Sequence, residues 1–595
     1  MSKRHIFNSS EGLVPKSLRG IISYNPSLAL DEANRVVFDR SYDKSNVSVI
    51  SGGGSGHEPA WVGYVGKNML TAAVAGDIFA SPSTKQILAG INAVPSDKGA
   101  ILVVTNYTGD CLHFGLAAEK ATALGHDCRM IICGDDVSVG KKGRLVGRRG
   151  LAGQIGVLKV MGGASGRGAS LDDVYDLGVS FSRQIVSIAA TIDHCHVPGR
   201  TEHGTLAADE VELGTGPHNE PGYLKISPAP TASELVSMIL KMCLDESDPE
   251  RGYVKFALGD ETALLVSNFG GISYLEMGAL VDELLEQLSR DWQVEPVRVY
   301  VGPLETSLNA PAFSVSVVNL TAAARNCSYS VEDIKSFLDA RTDTHWESMA
   351  GAQAESGGKQ CRETQFITSK SDKHDQTRVD ERKDLMVDPA TLENMLRSAC
   401  NALVDAEPDL TKWDTIMGDG DCGETIKTGA TYLLSAIDSK QLAAAGSVVA
   451  VLRELQDIVE SRMGGTLGGI MGIFFTALTT ALERNAAVAQ TDGVNFLWAK
   501  ALSSALESLN RYTPAKIGDR TVMDTLISFA DGMKSGSFDD GVTAAVRAAE
   551  ATKTMVPKLG RATYVAAGGS GSKDLPPDPG AWGAMVALKG LKAGM

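Results

Sequence analysis

The sequence predicts a multidomain chain: an amino-terminal half built as two α/β subdomains, followed by an all-helical carboxyl-terminal part. Three observations carry this. Short apolar runs in the first half end in Gly- or Asp-rich turns and lead into helical patterns, which is the α/β signature. From about Thr342 to Asp384 apolar periodicity vanishes and Ser, Gly, Gln, Lys, Asp and Glu dominate, the composition of a flexible linker. Beyond it, Ala- and Leu-rich stretches follow one another with few β-branched runs, as in packed helices. The boundaries read 1–341 for the α/β half, 342–384 for the linker and 385–595 for the helical part.

Taken in order, Val47-Ser48-Val49-Ile50 runs into Ser51-Gly52-Gly53-Gly54-Ser55-Gly56. Ala100–Val104 runs into Thr105-Asn106-Tyr107-Thr108-Gly109-Asp110, and Met130–Cys133 into Gly134-Asp135-Asp136. Ligands of such sheets bind at the carboxyl ends of the strands, where these loops lie. After a division near 185–200, Ala263–Val266 precedes Asn268-Phe269-Gly270-Gly271 and a helical stretch from Tyr274 to Leu288, and Val297–Tyr300 reads as another strand. In the last part Asp388-Pro389 forms an N-cap and first-turn pair. Leu392, Met395, Leu396, Ala399 and Leu403 then mark one helical face. Further helices are expected at Leu442–Met463, Ile470–Leu482, Ala499–Leu509, Val542–Met555 and Ala581–Ala593.

The charge of −16 argues against nucleic acid and anionic membranes as partners. No run of about 20 apolar residues suggests a bilayer span. The first residues lack the apolar core of a secretory signal, and the last carry no retention tripeptide. Nine scattered cysteines without a CxxC pair read as reduced thiols, so a cytoplasmic protein is expected. His194-Cys195-His196 has no distant ligands in view and reads as core or solvated side chains, not as a metal site.

Chemistry concentrates in Trp413–Asp421, which holds Asp414, Asp419 and Asp421 with Gly418 and Gly420 between them. An unbroken helix would aim Asp419 roughly 140° away from Asp414. The glycines favour a tight turn instead, and a turn can gather the three carboxylates. Such a cluster needs a counter-charge, most simply a hard divalent cation shared with phosphate. An acidic surface turn or a calcium loop would use the same residue types, although the EF-hand's alternation and distal glutamate are missing. Four loops, Gly418–Thr425, Gly464–Gly469, Gly518–Thr521 and Asp578–Ala581, look too rich in Gly and Asp for helix interiors. They could cap helices or offer backbone N–H groups to phosphate. There is no GxxxxGK[ST] run and hence no P-loop.

These loops, with Met463-Gly464-Gly465-Thr466 and Gly560-Arg561-Ala562-Thr563-Tyr564, resemble the nucleotide domain of dihydroxyacetone kinases. The resemblance implies an antiparallel helical barrel that holds ATP, with Asp414, Asp419 and Asp421 binding two Mg²⁺ ions. Cys422, Gly423, Glu424, Thr425 and Thr466 would touch phosphate, and Asp578, Pro579 and Gly580 would lie near the nucleoside. Leu467, Arg520 and Thr521 complete the implied contacts. Ser51–Pro59, Asn106–Asp110, Gly147–Gly153 and Glu212–Gly222 are similar to the family's substrate domain. There Gly54, Ser55, Gly56, His57, Asp110 and His218 would hold the triose. The resemblance makes His218 the nucleophile that captures a ketone as a hemiaminal, Asp110 the general base, and His57 its orienting or assisting partner. A neutral imidazole can do this, and the bond requires a carbonyl, which glycerol lacks. The Gly52–Gly56 loop would let the backbone approach a three-carbon substrate.

The chain departs from the family pattern at three places. Thr105 stands where lysine is common, Leu467 where serine is usual, and Pro217 and Asn219 flank His218 where an aliphatic residue and glycine are frequent. Thr105 removes a cationic donor, Leu467 a hydroxyl, and Pro217 stiffens the loop. Fusion of both halves in one chain favours an ATP-dependent kinase acting on dihydroxyacetone, and on glyceraldehyde as a second substrate, over a phosphotransferase-system enzyme with bound ADP. A triose-sensing regulator is the alternative of another class, and a cyclising FAD-AMP lyase side activity stays open. The family implies a homodimer.

Overall fold

The computed structural model describes residues 5–142, 146–201, 204–346, 384–485, 493–559 and 575–595. The chain forms two compact units, Met1–Ile367 and Thr368–Met595.

The first unit contains two six-stranded sheets. One has the order β1-β2-β4-β3-β5-β6, with β1 (Leu28–Asp31), β2 (Val36–Asp39), β3 (Ser48–Ser55), β4 (Ala72–Ile78), β5 (Ala100–Thr105) and β6 (Cys128–Cys133). Strands β4, β3, β5 and β6 run parallel. Helices cover both faces, which is why β5 is buried at every position and apolar up to Thr105 instead of alternating. Helices α1 (Leu13–Tyr24), α2 (Thr84–Ala93), α3 (Thr108–Ala123), α4 (Gly153–Ser165) and α5 (Leu171–Arg183) belong to this half. Ile87, Ile91 and Phe114 of α2 and α3 pack on Ile50, Leu102 and Val104.

The second sheet has the order β11-β10-β12-β7-β8-β9, with β7 (Ile185–Thr191), β8 (Val211–Leu213), β9 (Leu224–Ile226), β10 (Thr262–Asn268), β11 (Arg298–Gly302) and β12 (Ala312–Asn319). Only β10 and β11 are parallel in it; the other pairings are antiparallel. The local strand–turn–helix pattern around Ala263 thus identified the elements but not their pairing. Helices α6 (Ala232–Leu244) and α7 (Tyr274–Trp292) cover its outer face. Helix α4 is buried at all 13 of its positions and shares one core with Val49 and Val103 of the first sheet and Ile185 and Leu265 of the second. The short helices α8 (Leu320–Ala324) and α9 (Val331–Leu338) close the unit.

Two expectations change here. The glycine run after Ile50 is not a loop: β3 continues through Ser55. Its glycines accommodate protein, since a Cβ on Gly54 would lie 2.8 Å from the Ala80 nitrogen and one on Gly52 would strike Val74. The expected linker also begins too early, because Trp346 is buried, stacks on Tyr300 and donates to the Leu338 carbonyl (3.1 Å). Residues 347–383 of that segment lie outside the described residues.

The second unit is helical, as expected: α10 (Pro389–Met417), α11 (Cys422–Lys440), α12 (Val448–Arg462), α13 (Gly465–Asn485), α14 (Val494–Leu509), α15 (Val522–Met533), α16 (Phe538–Ala551) and α17 (Pro579–Ala593). Asp388 caps α10 by accepting from the Thr391 N–H (2.9 Å), with Pro389 in the first turn. The stretch 464–469 is a correction: Gly465–Gly469 are the opening turn of α13, not a loop. Residues 442–447 precede α12, whose cap is Ser447. Helix α13 is long and apolar enough to cross a bilayer by length and composition. Phe474, Leu478, Ala481 and Leu482 of that helix pack in one core with Leu502 and Phe529.

Candidate active site

In the first unit, three sequence-predicted residues come together where the two sheets meet. His57 follows β3, Asp110 lies in the first turn of α3 after β5, and His218 sits in the loop between β8 and β9 of the other sheet. His57 and His218 touch through their Nε2 atoms at 3.0 Å. Backbone bonds from Leu308 to the Gly56 carbonyl (2.8 Å) and from Thr306 to the His57 carbonyl (3.1 Å) tie the sheets at this point.

His218 is boxed by aromatic edges. The rings of His57, Phe79 and Tyr107 lie 4.8, 5.0 and 4.8 Å from its centroid at interplanar angles of 79°, 79° and 84°. His57 is buried and its Nδ1 faces the Thr306 carbonyl at 2.8 Å. Burial, with the neighbouring His218, pushes the His57 imidazole down to about 3, so it stays neutral at ordinary pH. Asp110 is buried, one carboxylate oxygen has no hydrogen-bond partner, and burial raises its pKa against the Ser81 hydroxyl and the His218 charge. A desolvated carboxylate of this kind is a better proton acceptor than one in water. Ser55 donates its hydroxyl to the Gly76 carbonyl (2.9 Å), and the Gly56 N–H goes to the Glu58 carboxylate (2.9 Å).

The loop carrying His218 is clamped from three sides. Asn219 adopts φ +63°, a left-handed conformation that asparagine tolerates. Its amide accepts from the Cys195 N–H and donates to the Cys195 carbonyl, both at 3.0 Å. Ser307 donates to the Pro217 carbonyl (2.5 Å). Glu220 takes the His218 backbone N–H (2.8 Å) on Oε2 and faces His218 Nδ1 (3.0 Å) with Oε1. Neither Asn219 nor Glu220 stood out as functional in the sequence; the available signal was their place beside the histidine. Thr105, the departure from lysine, is buried and bonds Gln154 (3.0 Å). Gln154 reaches Glu305 (3.4 Å), whose carboxyl burial pushes up to about 8.

The second unit gathers the aspartates. Helix α10 carries Asp414 in its last turn and stops at Gly418; Gly420 takes φ +85°, and α11 restarts at Cys422. One ligand oxygen from each of Asp414, Asp419 and Asp421 lies within 4.8 Å of the others, with Asp419 and Asp421 exposed. One Asp414 oxygen accepts the Cys422 N–H (3.0 Å). Gly423, behind it, permits close helix packing: a Cβ there would lie 2.7 Å from the Glu407 carbonyl. The donors are hard oxygens from the last turn of α10 and the turn that leads into α11, a set suited to a hard divalent cation with phosphate.

The other predicted nucleotide contacts divide. Glu424 and Thr425 share the first turn of α11, and Thr466 is exposed in the first turn of α13, where a Cβ on Gly465 would lie 3.9 Å from the Asp421 carboxylate. Leu467 is half-buried against the helical core, so its departure from serine serves packing. Asp578 caps α17 (2.8 Å to the Ala581 N–H), and burial pushes its carboxyl up to about 6, with Arg520 pulling it down and Asp414 raising it. Pro579 and Gly580 follow in the first turn, Gly580 against Val522. Arg520, at φ +62°, is buried and donates to the Thr552 (3.2 Å) and Pro576 (2.7 Å) carbonyls. Thr521 caps α15. Gly560–Tyr564 lies outside the described residues.

Comparison with known proteins agrees with this division. The Dak1 domain model matches residues 19–346 and the DAK2 domain model residues 416–593. The dihydroxyacetone kinase of Pichia angusta is 39% identical over 99% of this chain and 98% of its own length. The chain belongs to the dihydroxyacetone kinase family. Among solved structures, the dihydroxyacetone kinase from C. freundii in complex with AMP-PNP and Mg²⁺ is 30% identical, covers both chains completely and superposes with a TM-score of 0.63. A dihydroxyacetone kinase operon co-activator is 29% identical, with a TM-score of 0.51, but covers only 56% of this chain. The family's kinases therefore match both units in full, whereas the co-activator matches a little over half of the chain.

Proposed function

We propose that the chain transfers the γ-phosphoryl group of ATP to dihydroxyacetone, and to glyceraldehyde as a second substrate. The observation that carries this reading is the half-buried His218 imidazole, flanked by three rings beside a buried carboxylate. A freely exposed histidine would serve as a titrating surface group; one flanked by rings and fixed in direction is suited to add to a carbonyl. His218 holds the triose as a hemiaminal. Asp110 accepts the proton of the hydroxyl that is phosphorylated, and His57 orients that end of the substrate.

Asp414, Asp419 and Asp421 would hold the Mg²⁺ ions, two in this reading, which supply charge neutralisation on the phosphates. The opening turns of α11 and α13 direct backbone N–H groups toward the same oxygens. Asp578 and Arg520 shape the nucleoside end. Substrate and nucleotide residues lie in separate compact units, so transfer requires them to meet, within one chain or across a homodimer.

A coupled assay with Mg²⁺-ATP tests the proposal. Turnover is expected on dihydroxyacetone and none on glycerol. Equal turnover on both would remove the carbonyl-capture role, and no turnover with triose binding intact would favour a protein phosphoryl donor or a sensor.

A further inference from the structure

A count of hydrogen-bond donors in the histidine pocket points to a residue outside the proposed catalytic set. The Thr306 carbonyl can only accept, so His57 carries its proton on Nδ1. Glu220 accepts the His218 backbone N–H on Oε2 and faces His218 Nδ1 with Oε1, so His218 also carries a proton on Nδ1. Two neutral rings so fixed would oppose lone pairs across the 3.0 Å Nε2–Nε2 contact. A bound carbonyl would take the place of that contact and meet the His218 Nε2 lone pair. Arg149, on which Glu220 also acts electrostatically, is paired with the buried Asp136 (2.8 Å) and held by the Gly214 carbonyl (2.8 Å). Burial raises the Glu220 carboxyl, but its hydrogen bonds and charge interaction with His218 outweigh that and hold it at about 2.

We infer that Glu220 is the positioning residue of carbonyl capture. It holds the proton on His218 Nδ1 so that Nε2 is the attacking atom, and its charge balances the cationic ring that forms. This rests on the hemiaminal reading of His218. The step balances. The Nε2 lone pair makes the N–C bond, and the carbonyl π pair moves to oxygen. That oxygen takes a proton from solvent, and the Nδ1 proton stays in place. The alkylated imidazolium that results carries one positive charge beside Glu220. No oxidant or reductant is needed, and the reverse sequence releases the product.

The test uses dihydroxyacetone labelled with ¹³C at C2 and the full-length protein. The unmutated protein should convert the ketone resonance to a tetrahedral one. If it does not, the hemiaminal reading fails and takes this inference with it. Glu220→Gln offers one acceptor for two N–H groups and no charge; its capture affinity should fall on the order of 100-fold. Glu220→Asp keeps the charge and should recover part of that loss. Capture by Glu220→Gln equal to the unmutated protein would overturn the inference alone. Should the variants unfold, ¹⁵N-histidine labelling of the unmutated adduct decides: C2 coupled to Nε2, with a proton retained on Nδ1, supports the inference, and a ring without that proton overturns it.

Discussion

The histidine pocket of the first unit and the aspartate turn of the second differ in how much of their chemistry the chain completes by itself. Around His218 the protein supplies three rings, a clamp from Asn219 to the Cys195 backbone, and Glu220 on Nδ1. Around Asp414, Asp419 and Asp421 the geometry converges, but two of the three carboxylates face solvent. The tasks proposed for the two regions would account for the contrast. A covalent nucleophile must be neutral, desolvated and fixed in direction before substrate arrives. A phosphate-gripping cation site works by leaving negative charge for ions to neutralise. One region is built as a finished pocket and the other as a receptor for charge.

The largest test of this division removes an aspartate. Asp419→Ala should lower kinase turnover on the order of 10³-fold, as loss of a transition-state electrostatic group does. It should leave ¹³C-dihydroxyacetone capture unchanged. Loss of capture in that variant would show the two regions to be energetically coupled. Next, His218→Ala should abolish the tetrahedral ¹³C signal and raise KM for dihydroxyacetone about 100-fold, with Mg²⁺-ATP binding measured by calorimetry unaffected. Weakened nucleotide binding there would break the comparison from the other side.

A third test concerns the buried carboxyl behind Gln154. Glu305 is fully buried and its carboxyl is pushed up to about 8 by burial, with Asp135 adding to the effect. The folded form therefore keeps a proton that the unfolded chain sheds near its ordinary value of 4.5. The sign follows: this contribution is full below about pH 4.5 and is lost as pH rises to about 8, at about 1.4 kcal/mol per pH unit for one proton. Glu305→Gln should flatten that slope in denaturant unfolding followed from pH 5 to 8.5, and identical slopes would exclude Glu305 as its source. The smallest effect is expected from Asn219→Gly. Glycine adopts the φ +63° backbone freely but loses both bonds to Cys195. Two hydrogen bonds of ordinary net strength, partly offset by the easier backbone, predict a three- to tenfold rise in KM. An unchanged KM would mean that Ser307 and Glu220 hold the loop unaided.

Much of this was legible from residue order. Alternating apolar runs and turns announced the α/β half, Asp388-Pro389 the start of a long helix, and the glycines around Asp419 a turn able to gather carboxylates. Where the reading failed, the cause was a contact from outside the window. Ser51–Ser55 looks like a glycine loop but is strand, because β4 and the Phe79–Ala80 turn pack directly on its backbone. Gly465–Gly469 looks like a turn but opens a helix, because α13 is held by apolar contacts further along. The second half of the first unit reads as strand–helix–strand yet pairs mostly antiparallel, since local pattern defines elements but not their neighbours.

By itself, the sequence determined the element types, the division into an α/β half and a helical part, and the residue types able to perform the chemistry. Only the tertiary structure decided which of them act together. His57 and His218 are 161 positions apart and touch because two separately formed sheets share the buried helix α4. Glu220 is two residues from His218, whereas Thr306, which faces Nδ1 of the other imidazole, is 249 positions from His57. Periodicity is a short-range property that one segment can carry, whereas the direction of a lone pair and the burial of a charge depend on everything packed around them.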